Sequence, residues 1–260
     1  MTISRAQLAK ELEPGLNALF GLEYDRYEDE AAEIFESESS DRAFEEEVML
    51  SGFGTAPVKS EGSAINFDNA QETYTARYTM ETIALAFSIT EEAVEDNLYD
   101  SLAKRYTRAL ARSMSQTKQI KGATVMNNAF STGSPIGDGA ALCSAAHPSL
   151  SGNQNNLLAT PADLNETSLE EILIQIAGFT DERGLKIAVR GTKLLIPKEL
   201  QFIAERIINS NLRPGSADND INAMKSMGML PEGAVVNHFF TDADAYFVKT
   251  DCPNGFKLFN

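Results

Sequence analysis

The stretch from Ile89 to Lys121 (ITEEAVEDNLYDSLAKRYTRALARSMSQTKQIK) constrains this chain more than any other. It holds neither Pro nor Gly, so nothing in it breaks the backbone ladder of a helix. Thr90 is placed to cap its start. Glu91, Glu92, Glu95 and Asp96 then crowd the positive end of the helix dipole, while Lys104, Arg105, Arg108, Arg112, Lys118 and Lys121 take over toward the negative end. Asp100 and Lys104 add an i,i+4 pair. Val94, Leu98, Leu102, Tyr106, Leu110 and Met114 recur every fourth residue with Ala103 and Ala109 beside them, which predicts one apolar stripe. Gly122 is the expected stop. A helix of this length spans ~45 Å at the standard rise per residue and needs a surface to lie along.

Charge narrows the possible partners. The 260 residues carry a net charge of −16, and residues 1 to 50 alone hold four basic side chains against fourteen acidic ones. Tight nonspecific nucleic-acid binding needs Lys and Arg to displace counterions, and this balance argues against it. Cys143 and Cys252 give neither a disulfide framework nor metal-ligand spacing and read as reduced thiols. Glu11, Glu13 and Pro14 exclude a signal peptide in the first twenty residues, and no apolar run is long enough for a bilayer. The reading is a soluble protein with no membrane partner, made inside the cell.

Along the chain, residues 3 to 20 predict a short amphipathic helix, a break at Pro14-Gly15 and a further helical turn. Residues 21 to 47 are acidic with few large apolar groups, so they predict an extended arm that orders only against something else. From Val48 the period changes to two. A strand over 48–58, a loop rich in Gly, Ser and Asn over 59–69, and a return run over 73–88 predict a long β-hairpin, with Tyr74, Ala76, Tyr78 and Met80 on one face. Residues 127 to 165 read as irregular loop. A helix capped by Thr167 or Ser168 follows, with Leu169, Ile172, Leu173 and Ile176 inward and Gly184 after its end. Ala188-Val189 and Leu194 to Ile196 supply strand residues, 198–209 a helix with Leu200, Ile203, Ala204, Ile207 and Ile208 on one face, 210–222 a polar loop, and 234–240 and 245–249 two strands.

No catalytic, cofactor-binding or metal-ligating residue can be assigned. The run Gly133 to Gly139 lacks the Lys-Ser/Thr of a phosphate loop, and Gly52-Phe53-Gly54 lacks a third glycine and a following helix. His147 and His238 are the only imidazoles, and neither sits in a nucleophile elbow. Asp242, Asp244 and Asp251 lack the Gly and Glu of a calcium loop and read as a solvated turn. Lys59, in the hairpin loop, reads as a solubilising lysine. An acidic arm, a long hairpin with open edges and a solitary long helix are poor parts for an autonomous fold, and exposed edges in a monomer invite aggregation. Neighbouring copies would cover them.

That order of parts resembles the major capsid proteins of tailed phages, the Hong Kong 97-type capsid fold, and within them the Mu-like major head subunit branch. The resemblance is carried by the hairpin leading into ETIALAFSITEEAVEDNLYDSLAKRYTRALARSM, by LLIPKELQFIAERIINSNLRPGSADNDINA, and by HPSLSGNQNN and AVVNHFFTDADAYFVK. It implies an α+β fold in which 1–46 form an N-terminal arm and 47–89 an extended β-hairpin loop over a neighbouring subunit. Residues 90–190 would form a peripheral domain with spine helix 90–121, 191–243 a mixed α/β axial domain, and 244–260 the return to the peripheral domain. The family's peripheral sheet continues past this point, so the strand at Phe256 to Asn260 implies either an incomplete sequence, the favoured reading, or a shorter sheet. Some relatives crosslink a loop lysine to a neighbour's asparagine. Lys59 is in that region, but no acceptor can be identified and no crosslink is expected.

The implied function is structural, without catalysis or cofactor. Copies would assemble as hexamers and pentamers into an icosahedral shell enclosing double-stranded DNA without sequence-specific binding. Scaffolding and portal proteins would be assembly partners, with the protein in the host cytoplasm first and the virion afterwards. The acidic balance would suit a lumen that repels packaged DNA. Two alternatives are an encapsulin-like nanocompartment shell protein and, more distantly, a soluble α+β hydrolase using His147 or His238.

Overall fold

The computed structural model describes residues 9–88, 99–213 and 220–260. The elements in chain order are α1 (Ala9–Tyr24), α2 (Glu30–Ile34), β1 (Glu36–Glu38), β2 (Phe44–Leu50), β3 (Glu72–Thr79), α3 (Tyr99–Asn127), α4 (Glu166–Ala177), β4 (Gly191–Pro197), a 3-10 turn (Lys198–Leu200), α5 (Gln201–Asn209), α6 (Ala223–Met227), β5 (Ala234–Asn237), β6 (Phe247–Thr250) and β7 (Lys257–Phe259). This is a mixed α/β chain of two compact units. The first comprises Met1–Glu33 with Glu81–Gly122, and the second Ile34–Met80 with Ala123–Asn260.

In the first unit the long helix is present, with two differences from its sequence reading. Its start, including Thr90, Val94 and Leu98, lies outside the described residues. Gly122 does not stop it: α3 runs on to Asn127. A helical Gly costs only about 1 kcal/mol relative to Ala, and the following turn buries Ala123 and Met126. The buried seam also lies one residue beyond the stripe read from large side chains. It consists of Ala103, Thr107, Ala111, Ser115, Gln119 and Ala123, whereas Tyr106 is exposed. Small side chains at i,i+4 spacing let another backbone approach closely, and Thr107 returns its hydroxyl to the Ala103 carbonyl at 2.8 Å. The segment before the helix does not break at Pro14-Gly15 either. α1 passes through both, losing the one ladder bond that Pro cannot donate.

The acidic arm is more ordered than composition implied. α2 is tied to α3 through Asp29, whose Oδ2 lies 2.7 Å from Lys118 Nζ and whose Oδ1 accepts from Gln119 Nε2 at 2.9 Å. Gln119 Oε1 in turn accepts from Ala31 N at 2.8 Å. Burial works to raise the Asp29 carboxyl pKa, but the Lys118 and Gln119 hydrogen bonds and the Lys118 charge outweigh it, leaving the group below the ordinary aspartate range.

The core of the second unit surrounds a three-stranded sheet ordered β5-β4-β6. β4 is parallel to β5 and antiparallel to β6. A parallel pair needs a crossover connection, and the 3-10 turn, α5 and α6 provide it. β4 is buried along nearly its whole length, as a central strand covered on both faces should be. Leu194 and Ile196 on β4 pack with Leu169, Leu173 and Ile176 of α4 and with Ala204, Ile207 and Ile208 of α5. Gly191 lies where a Cβ would come within 2.7 Å of Leu173 Cδ2 and 2.8 Å of Val248 Cγ1, so any side chain there must displace these neighbours.

Several boundaries differ from the sequence reading. α4 is capped by Asn165, with Ser168 as the reciprocal partner rather than the cap, and it ends at Gly178, not near Gly184. Ala188 has φ +52° and so cannot lie in a strand. α6 begins directly after the segment read as a polar loop, and the last residue of that segment, Asn222, is its fully buried cap.

Candidate interaction surface

The hairpin is real but shorter than its sequence pattern. β2 and β3 pair antiparallel from Phe44↔Thr79 to Val48↔Thr75, with a shift before Leu50↔Glu72. Residues 52–58 are not strand, and 80–88 do not continue β3. The expected alternation is present: Tyr74, Ala76, Tyr78 and Met80 are half-buried, and the residues between them are exposed. On the exposed face Arg77 reaches Glu46 at 2.6 Å and lies over the Phe44 ring at 4.5 Å, a cross-strand arrangement that fixes register.

Two devices hold the hairpin to its own unit. At its base, β7 pairs parallel with β1. Lys257 joins Glu47 of β2 and lies 3.5 Å from Glu38 of β1, and the Phe259 and Tyr78 rings meet at 5.2 Å between centroids. The Glu47 hydrogen bond, with both carboxylate charges, raises the Lys257 pKa. At the far end, Ser51 N donates to the Gln71 carbonyl at 2.8 Å, and Gly54 N donates to Asp68 Oδ2 at 2.7 Å. Arg183 closes this root by donating to the carbonyls of Gly52, at 3.2 Å, and Asn69. The Gly54 and Asn69 amides, with the Arg183 charge, hold the Asp68 carboxyl below its usual range.

Beyond that root the loop is uncovered. Val58 is 98% and Phe67 95% exposed, and Ile65 and Phe53 are more than half exposed. Three or four large apolar groups in one loop exceed the scattered exposure ordinary for a surface, and such groupings mark contact sites. Lys59, in the same loop, is exposed. A second exposed grouping, Phe202, Leu212, Ile221 and Met227, lies on and around α5 and α6.

The remaining candidates from the sequence do not come together as a reaction centre. His147 Nδ1 lies 2.7 Å from Asp138 Oδ2, while its Nε2 is buried and has no partner among the described residues. A general base must reach the proton it removes, and this nitrogen is sealed from any substrate. His238 lies in the turn after β5, not within a strand, because β5 ends at Asn237. Asp242 accepts from the Asp244 amide at 3.1 Å, the local turn expected of it. Among the described residues no grouping of His, Cys, Asp and Glu could hold a metal ion, and no helix is long and apolar enough to cross a membrane. Burial pushes the Cys143 thiol up to about 11, which makes it a poor nucleophile. Arg183 and Asn222 escaped the sequence reading. Asn222 was findable as a cap ahead of Ala223, but nothing near Arg183 in sequence signals a carbonyl clamp.

The profile of the phage capsid protein family matches residues 73–257 of this chain. No curated protein matches its sequence. Among solved structures it is similar to the capsid protein in the bacteriophage JBD30 capsid, with a TM-score of 0.63 at 10% identity over 83% of this chain and 92% of that one. Against the procapsid of bacteriophage JBD30 the TM-score is 0.60 at 13% identity, covering 91% of this chain and 100% of that one. The JBD30 capsid decorated with minor capsid protein trimers gives a TM-score of 0.60 at 11% identity.

Proposed function

The chain belongs to the phage capsid protein family, and from that premise we propose that it builds a tailed-phage head on the Hong Kong 97 plan. It is a major capsid protein, and copies of it form the head shell. In the plan proposed here, residues 1–46 act as an arm and 47–89 as the loop laid over a neighbour. Residues 90–190 form the peripheral domain, 191–243 the axial domain around five-fold and six-fold axes, and 244–260 the return segment. The role is structural, with no catalysis and no cofactor. Scaffolding and portal proteins take part in assembly from the host cytoplasm, and double-stranded DNA is enclosed without being read.

One observation carries this reading: the hairpin is rigidly rooted in its own unit, yet presents Val58 and Phe67 almost wholly to solvent. A monomer gains nothing from an anchored apolar tip. In an assembly the same tip becomes buried area, worth about 1.5–3 kcal/mol per fully buried large apolar side chain. Negative-stain imaging of the purified protein tests it. Shells or ring-shaped capsomers are expected, and a stable monomer at high concentration overturns the reading.

A further inference from the structure

The turn from Asp251 to Phe256 joins β6 to β7 and is fixed at both ends. Upstream, Asp251 Oδ1 accepts from Arg190 N at 2.7 Å, and Asp251 N donates to the Arg190 carbonyl at 3.0 Å. Downstream, the Phe256 carbonyl accepts from Glu36 N at 2.8 Å, and the Phe256 ring meets Phe35 edge-on at 5.8 Å between centroids. Between these anchors stand Asn254 and Gly255, both exposed. Asn254 has φ +57°, a left-handed conformation that Asn tolerates better than most residues with a side chain. No other asparagine of the chain is followed by glycine. Packing does not demand that glycine: its φ is not positive, and a Cβ there would meet nothing nearer than the Cys252 carbonyl oxygen at 3.7 Å. Neither Gly255 N nor the Asn254 carboxamide has a hydrogen-bond partner among the described residues.

We infer that Asn254 is a site of spontaneous deamidation and that its conversion loosens the β1–β7 clasp. Asparagine is a thermolabile residue, and a following glycine leaves the attacking backbone without a Cβ to crowd its approach. The Gly255 amide nitrogen attacks Asn254 Cγ and gives up its proton. The new C–N bond closes a succinimide ring as the Cγ–Nδ2 bond breaks, and Nδ2 takes up a proton and departs as ammonia. Water then opens the ring at either carbonyl, giving aspartate or isoaspartate. Aspartate adds a charge to a turn that already holds Asp251. Isoaspartate routes the main chain through Cβ and so inserts an extra backbone atom between the two anchored ends. The upstream end adjoins the three-stranded sheet, whereas β1 and β7 form a two-stranded pair over only three residues each, and such a pair is marginal by itself. The extra length is therefore taken up at β7, which draws Lys257 away from Glu47. This inference goes beyond the shell reading and does not depend on it.

The tryptic peptide 250–257 separates Asn254 from every other asparagine, so its fate can be followed in the full chain. The purified protein is held in warm, mildly alkaline buffer, digested, and analysed by mass spectrometry and by labelling with an isoaspartate-specific methyltransferase. Asn254 is expected to be the first asparagine to convert, with isoaspartate the larger product, and conversion over the same period is expected to be lost in Asn254→Gln and in Gly255→Ala. Conversion no faster than at the exposed Asn153, while a synthetic 250–257 peptide does convert, would mean that the folded turn protects Asn254 and overturns the site. Conversion undiminished in Gly255→Ala overturns it as well. Hydrogen–deuterium exchange reads the clasp: the amides of Glu36, Ser40 and Asn260, each bonded across the β1–β7 pair, should lose protection in the isoaspartate fraction while those of β4 keep theirs. Conversion that leaves all three protected overturns the loosening of the clasp.

Discussion

The Arg183 side chain donates to the carbonyl of Gly52 at 3.2 Å across 131 positions of sequence. With its second bond to Asn69, this one guanidinium fixes both strands of the loop root. An exposed apolar tip is thereby held at a constant place relative to the sheet that carries it.

Arg183→Ala is therefore expected to free the loop without unfolding the subunit. Hydrogen bonds from a charged donor contribute about 1.5–3 kcal/mol, so amides from Ser51 to Gln71 should exchange tens of times faster while β4 stays protected. Hydrogen–deuterium exchange of the unassembled protein checks this. Equal acceleration throughout the second unit would show that Arg183 supports the fold rather than the loop.

Gly191→Ala should destabilise the second unit by about 1–3 kcal/mol, the usual cost of overpacking a filled core. Its Cβ meets Leu173 and Val248 well inside contact distance. Denaturant unfolding followed by circular dichroism measures the loss, and trimming Leu173 in the same chain should recover part of it.

Asn222 donates to the Ile207 carbonyl at 2.7 Å and accepts from the Met224 amide at 3.0 Å. Asn222→Ala removes the α6 cap and strands a buried carbonyl, costing about 3 kcal/mol in all. Asn222→Asp keeps the cap but not the donor, so a melting temperature no higher than that of the Ala variant would assign most of the loss to the donor.

The tie between α2 and α3 should respond to acid. The folded-state pKa of Asp29 lies below its unfolded value, so its contribution is complete above the unfolded pKa of about 3.9 and is lost as pH falls through the folded one. In Asp29→Asn that acid-side loss should be missing. Parallel stability curves for the two proteins between pH 5 and pH 2, to about half a pH unit, would refute the assignment.

Local pattern foretold the hairpin alternation, the long helix and the apolar faces of α4 and α5, since each rests on periodicity within a few residues. What escaped it depended on partners distant in sequence. Large apolar groups at four-residue spacing pointed to Tyr106, yet burial follows Ala103, Thr107 and Ala111, and a count of large side chains does not register small ones. β1 has three residues, too few to show a period, and is a strand only through its pairing with β7, which falls where a strand was expected. Asp29 and Glu47 belong to the acidic segment read as an arm, and their partners Lys118 and Lys257 lie far away in sequence. Residues 90–98 and 214–219, which hold part of the expected spine and a loop, lie outside the described residues.

The parallel pairing of β1 with β7 gives chain synthesis an order. β1 is made early but cannot be completed until Lys257 to Phe259 exist, and Lys257 also joins the hairpin strand β2 through Glu47. The β7 clasp at the hairpin base consequently closes later than the Arg183 clamp at the loop root can. A nascent or shortened chain lacking it would carry the apolar tip on a looser base, ill-placed for a neighbour.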